Sequence, residues 1–192
     1  MPPGTRLVHV TTIFTCLVLG GCSLASQLPP TKPAGVTQQL LIRSLERALA
    51  KLDLSRLLGP SVAVDVFVNE GNQAFVKAFA MAWLQAHGVH TVSESPDVKV
   101  KLFASVLGTD SDQTLIGIPS FQAPVVNVPF PEIALFKWQR NRGQAEVRLY
   151  EMEPKTDIVV DAPPPGIGRA KYDNFTLLIF LGFTVTDVEK RE

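Results

Sequence analysis

The stretch Ser61-Val62-Ala63-Val64-Asp65-Val66-Phe67-Val68, closed by Asn69-Glu70-Gly71-Asn72 and followed by a long apolar run, decides the fold. Strand residues alternate between two faces, so Val62, Val64, Val66 and Val68 share one face and Ala63, Asp65 and Phe67 the other. Apolar residues on both faces suit a strand inside a sheet. The polar turn with its glycine then opens a helix from about Asn72 to His87, which Gly88 ends. Strand, tight turn and helix make an α/β opening. Asp65, the acid in that strand, is expected to find a backbone donor and to be structural rather than catalytic.

On the helix, Phe75, Ala78, Phe79, Ala82, Trp83 and Ala86 recur at the spacing of a core-facing stripe. Val76, Ala80, Met81 and Leu84 fall on other sides, leaving Gln73, Lys77 and Gln85 as polar cover. A helix apolar nearly all round needs burial on a second side. The proline-rich segment 117–132 or another molecule would provide it, and Met81 and Leu84 are the candidate residues of a self or partner interface.

Toward the N-terminus, Thr37 to about Leu52 reads as a second helix, with Leu41, Leu45, Ala48, Leu49 and Leu52 on its apolar face. Arg43, Arg47 and Lys51 form a stripe on the opposite side, a solvated face or one that leans on anionic head groups. Gly59-Pro60 ends whatever helix remains.

Toward the C-terminus, Asp97 to Leu107 alternates as a second strand. The polar run 108–113 reads as a loop, in which Asp110 and Asp112 lack the glycine and closing glutamate of a calcium loop. Prolines in 117–132 forbid helix and restrict any strand to an edge. The segments 133–140 and 144–152 flank Asn141-Arg142-Gly143, a hairpin signal, and Ile158-Val159-Val160 is a short strand. Phe175 to Phe183 is too short to span a bilayer as a helix. It reads as a buried strand, with an exposed apolar lip meeting lipid or a partner as the alternative.

Chemistry-bearing constellations are sparse. The turn before the first-described helix has one glycine and the acid Glu70, and Gly166-x-Gly168 is too little for a phosphate loop. His87 and His90 have no third ligand nearby, and a histidine favouring the helix C-terminus accounts for His87. Ser120 lacks the surroundings of a nucleophile elbow. No catalytic residue, metal or cofactor is therefore expected.

The first 22 residues carry the localisation. One charge at Arg6 precedes the apolar run Leu7 to Leu19, which as a helix of about 1.5 Å per residue would reach only about 20 Å, short of a hydrocarbon core of about 30 Å. Such a run with small residues at its end is a secretory signal. Leu19-Gly20-Gly21-Cys22 resembles the lipobox of bacterial lipoproteins, which implies cleavage between Gly21 and Cys22 and acylation of Cys22. Cys16 is preceded by Phe14 and Thr15, where small residues are needed. Ser23, rather than aspartate, after the cysteine implies the outer membrane, on its periplasmic face. Removing residues 1–21 leaves 17 basic and 18 acidic side chains over 171 residues, a balance that calls for no nucleic acid. Residues 22–36 are a proline-bearing tether.

Beyond the anchor, Thr37-Gln38-Gln39-Leu40-Leu41-Ile42, Gly117-Ile118-Pro119-Ser120, Pro131-Glu132-Ile133-Ala134-Leu135-Phe136-Lys137 and Gly143-Gln144-Ala145 resemble an uncharacterised family of bacterial lipoproteins. That resemblance implies no activity. The order of elements is more loosely similar to small envelope lipoproteins such as activators of peptidoglycan synthases and curli-type secretion lipoproteins. The expectation is a signal peptide over 1–21, a tether over 22–36, and a single α+β domain over 37–188, two helices on a mostly antiparallel sheet. Its expected role is non-catalytic, in protein binding or assembly, with binding of a lipid or hydrophobic ligand as the alternative.

Overall fold

The computed structural model describes residues 34–69, 71–122 and 129–188. The signal peptide, the lipidation site Cys22 with its cleavage point after Gly21, and most of the tether lie outside the described residues. Helix α1 is Ala34–Leu49 and begins three residues before the expected domain boundary. A single 3-10 turn, Ser55–Leu57, follows. Strand β1 is Ser61–Val68 and helix α2 is Gln73–Ala86, with the Asn72 side chain accepting the Phe75 N–H as its N-cap. The remaining strands are β2 His90–Thr91, β3 Val98–Ile118, β4 Phe121–Gln122, β5 Pro129–Phe130, β6 Ile133–Met152, β7 Val159–Asp161, β8 Gly166–Leu177 and β9 Leu181–Thr186.

The fold is α+β, two helices with a predominantly β chain, and the sheet is mixed. Its order is β2-β1-β3-β6-β8-β9, with β7 paired to β6, while β4 and β5 form a separate antiparallel pair. The expectation of a mostly antiparallel sheet missed the parallel pairs β1/β2 and β1/β3. Helix α2 is the reason: it returns the chain to the end of the sheet where β1 began, so strands that follow it run beside β1 in the same direction.

The chain divides into two compact units. Among described residues, the smaller holds 113–122, 129–139 and 174–183, and the larger holds 34–112, 140–173 and 184–188. In the larger unit both helices cover one face of the sheet. Leu45, Leu49, Val76, Ala80 and Leu84 of the helices meet Val62, Val64 and Val66 of β1, Val100 and Leu102 of β3, and Val147 and Leu149 of β6. The alternation read in β1 is borne out for Val62, Val64 and Val66, which are buried.

Two long strands replace features expected to be turns. The run 108–113 is part of β3, and Asn141-Arg142-Gly143 lies inside β6, which continues through it. The buried Asn141 amide donates to the Tyr172 carbonyl at 3.0 Å and accepts from Ser111 Oγ at 3.1 Å, so its polarity is spent on neighbouring strands. Gly143 is there because α1 passes over it: a Cβ would lie 2.5 Å from the Leu40 carbonyl oxygen. Gly168 and Gly166 continue the same track, where a Cβ would lie 1.8 Å from the Ser44 oxygen and 2.0 Å from the Ala48 oxygen. Leu40, Ser44 and Ala48 are spaced four apart, one row of the helix, so one row of α1 rests on a groove of glycine.

Candidate functional site

In α2 the buried row is Val76, Ala80 and Leu84. The stripe expected to face the core does so only in part: Phe79 and Trp83 are half-buried and pack against the core, while Phe75, Ala78, Ala82 and Ala86 are exposed. Leu84, expected at an interface, has no exposed surface, so it is a core residue, and Met81 is half-buried. The narrower row wins because Ala80 lets the helix backbone approach the sheet while the bulky rings would hold it off. Phe75 and Phe79 stack on each other instead, with centroids 6.1 Å apart.

The second face of the larger unit's sheet carries a row of aromatic rings. Phe67 of β1 pairs in register with Phe103 of β3, and their rings stack with centroids 4.9 Å apart. Phe103 then meets Tyr150 of β6 edge-on at 5.7 Å. Cations flank the row: Lys101, Arg148 and Phe103 share the lining of an open depression of about 470 Å³ with Ser105, Tyr150, Met152 and Val159. Asp65, on the same face, is exposed and sits in register with Lys101 rather than being enclosed by donors. Lys99 and Lys101 reach Asp157 at 3.2 and 3.7 Å. The Lys99 hydrogen bond, and then the charge of Lys101, hold the Asp157 carboxyl below its ordinary range. Glu146 accepts from Arg148 at 2.8 Å, which pushes the guanidinium further up. Cross-strand aromatic pairs of this kind stabilise a sheet, and their uncovered rings form an apolar strip between charges.

A cleft of about 390 Å³ in the same unit lies between the helices, lined by Gln38, Leu41, Ile42 and Leu45 of α1, by Gly71, Asn72, Phe75 and Val76, and by Leu107. Its walls are mostly aliphatic and aromatic.

The smaller unit has a different surface. Ile116, Ile118, Phe121, Phe130, Ile133 and Leu135 are exposed, as are Leu178, Ile179, Phe180, Leu181 and Phe183. The expected buried strand over Phe175 to Phe183 is instead the end of β8, a turn at 178–180 and the start of β9. Its alternative reading, an exposed apolar lip, describes what is found. Among the described residues of this unit the only formal charges are Glu132 and Lys137, which pair with each other at 2.6 Å.

The remaining candidates resolve into structure. Arg47 donates to Asp187 and to the Arg169 carbonyl, both at 2.6 Å, and Lys51 to the Ile167 carbonyl at 2.7 Å. Two members of the basic stripe thus fasten α1 to β8 and the chain after β9, and the stripe is still a solvated face, with Arg43 and Lys51 exposed and Arg47 half-buried. His87 stacks on Trp83 at 3.8 Å, its Nδ1 2.8 Å from the Trp83 carbonyl. Asp112 pairs with Arg140 at 3.9 Å. Among the described residues no three His, Cys, Asp or Glu side chains group as a metal site, and no helix is long and apolar enough to cross a membrane. No family model matches this chain, and a search of the curated proteins finds no match.

Proposed function

We propose that this is a non-catalytic lipoprotein of the bacterial envelope, held by an acylated Cys22 on the periplasmic face of the outer membrane, that works by docking a protein partner on the open sheet face of its larger unit. The observation that carries the docking reading is the row Phe67, Phe103 and Tyr150, two exposed phenylalanines continued by a half-buried tyrosine. Large rings left on a surface add contact area at little entropic cost, and aromatics with arginine dominate the energetics of protein interfaces. Around the rings Lys99 and Lys101 pair with Asp157 and Arg148 with Glu146, which gives the apolar centre a charged rim of both signs, as a protein interface has. The anchor reading rests on the lipobox resemblance.

The test is capture from detergent-solubilised envelopes with the native chain and with Phe103→Asp. Phe103 is more than a third exposed, so the variant should fold, and a partner present with the native chain should be missing from the variant. An identical set of captured proteins would refute the docking surface. Separately, Cys22→Ala should abolish lipid labelling, and retained labelling would refute the anchor.

A second reading belongs to the cleft between α1 and α2, whose apolar lining suits a lipid tail or another hydrophobic ligand. Mass spectrometry of lipids extracted from the purified protein should then find a bound species that Ile42→Glu removes. If the native and variant proteins carry the same extract, the cleft is not a ligand site.

A further inference from the structure

From the smaller unit alone we infer that the β8–β9 turn and the strand ends beside it are a lipid-inserting tip, which enters the hydrocarbon edge of a bilayer. The turn Leu178-Ile179-Phe180 is unusual in composition. Leu178 and Ile179 have φ of 48° and 75°, the left-handed region that glycine and asparagine adopt easily and a β-branched residue does not. Hairpin stability favours Asn-Gly there. The chain accepts strain to keep two aliphatic residues at the turn, and Phe180 beside them is 77% exposed.

Backbone pairing joins the tip to its apolar neighbours. The Leu178 N–H donates to the Leu135 carbonyl at 2.9 Å and the Ile179 N–H to the Ala134 carbonyl at 2.8 Å. On the other side, a Cβ on Gly117 would lie 2.1 Å from the Ile133 oxygen, so the end of β3 is pressed against the start of β6. Ile116, Ile118, Ile133, Leu135, Leu178 and Ile179 therefore belong to one surface, and all are exposed. Contiguous apolar surface of this kind marks an interaction site.

Two observations choose lipid over protein as the occupant. Those turn donors are already satisfied, as a segment entering hydrocarbon requires, since nothing there replaces water as a partner. The described residues of the unit also bring no net charge, because Glu132 and Lys137 neutralise each other, whereas a protein interface keeps a polar, often charged rim. Trp138, Phe175 and Phe183 stack in series at 5.4 and 4.8 Å, and aromatic rings are favoured at the level of the head groups.

The experiment uses the full chain with Cys16→Ser, purified from membranes and reconstituted into vesicles of phosphatidylethanolamine and phosphatidylglycerol. A polarity-sensitive fluorophore is attached through Phe180→Cys or, as the control in the larger unit, through Asp65→Cys. Emission from position 180 should shift to the blue and be quenched by lipids bearing a nitroxide on the acyl chain, while emission from position 65 should do neither. Adding Leu178→Asn and Ile179→Gly should remove the shift at 180 with the circular dichroism unchanged. The intact mass of each sample reports acylation of Cys22, so a failed anchor and a failed insertion are seen separately. Equal emission from position 180 in vesicles and in buffer would overturn the proposal. So would a shift that nitroxide lipids do not quench and that grows with protein concentration, since it would assign the tip to a second copy.

Discussion

The larger and the smaller unit treat the same kinds of residue in opposite ways. In the larger, valine and leucine are sealed between two helices and a sheet, and charged side chains are spent in pairs such as Arg47 with Asp187. In the smaller, isoleucine, leucine and phenylalanine stand in the open and a single ion pair is all the formal charge among the described residues. Hydrophobic composition alone therefore does not mark a core. What separates the two is whether a second layer exists to cover the apolar face, and in the larger unit α1 and α2 supply it.

The sharpest way to break this comparison is to change the same residue type in both units. Gly168→Ala drives a methyl into the Ser44 carbonyl and should cost about 3 kcal/mol or more, or prevent folding, because helix and strand must separate. Gly182→Ala, whose Cβ would have the Phe175 oxygen as its nearest neighbour at 3.8 Å, should change stability by less than about 1 kcal/mol. Urea unfolding of the two variants decides it, and equal losses would erase the distinction. Truncation of a large apolar side chain comes next. Leu84→Ala should cost about 2 to 4 kcal/mol through the cavity it leaves, whereas Phe180→Ala should stay within about 0.5 kcal/mol and reduce retention on a hydrophobic column instead.

Charge gives a smaller effect with a definite sign. Burial pushes the Asp187 carboxyl up, but the Arg47 hydrogen bond and the Lys171 N–H outweigh it and leave it below its ordinary range. A carboxylate depressed in the folded state contributes stability that is full above its unfolded pKa and is lost as the pH falls through its folded value. Asp187→Asn should cost about 1 to 3 kcal/mol near neutrality and progressively less as acid titrates the native chain. Glu151 runs the other way. Its burial, only partly offset by Arg56, raises its pKa, so its ionisation penalises the fold, and that penalty disappears as the pH falls through its raised folded value. A pH series of thermal midpoints on both single variants, Asp187→Asn and Glu151→Gln, should therefore diverge from the native curve in opposite directions. The smallest change is the paired replacement Glu132→Gln with Lys137→Gln, expected to cost no more than about 1 kcal/mol in thermal unfolding.

Much of the fold was legible where periodicity and burial agree. Strand β1, the position of α2 with Asn72 at its start, and the first part of β3 follow from alternation and capping. What failed was information carried by partners distant in sequence. Asn141-Arg142-Gly143 has the composition of a turn, yet Gly143 answers to α1 and Asn141 to Ser111 and Tyr172. The polar run 108–113 joins a strand because β6 lies beside it, as the Ser111–Asn141 and Gln139–Gln113 bonds show. In α2 the periodicity of large residues pointed only in part to the core side, since a small residue, Ala80, sits where the helix lies against the sheet. The aromatic row was open to reading: Asp65 and Phe67 share one face of β1, and Lys99, Lys101 and Phe103 share one face of β3. Their pairing across a parallel register was not, because it depends on where α2 returns the chain.

The glycine track also sets an order of events during synthesis. Helix α1 is made first among the described elements, yet two of its three glycine seats and the carbonyls that hold Arg47 and Lys51 belong to β8, 122 and 116 residues further along for those two bonds. Until β8 has emerged, Leu40 lacks Ala170 and the Ser44 and Ala48 turns lack their glycine seats, so that row of the helix waits open. A chain with so much of its closure this far apart in sequence folds slowly and exposes surface that aggregates while it waits. The nascent chain therefore carries that row open for the interval between α1 and β8, and a circular permutant that shortens the interval should fold faster, as stopped-flow refolding would measure.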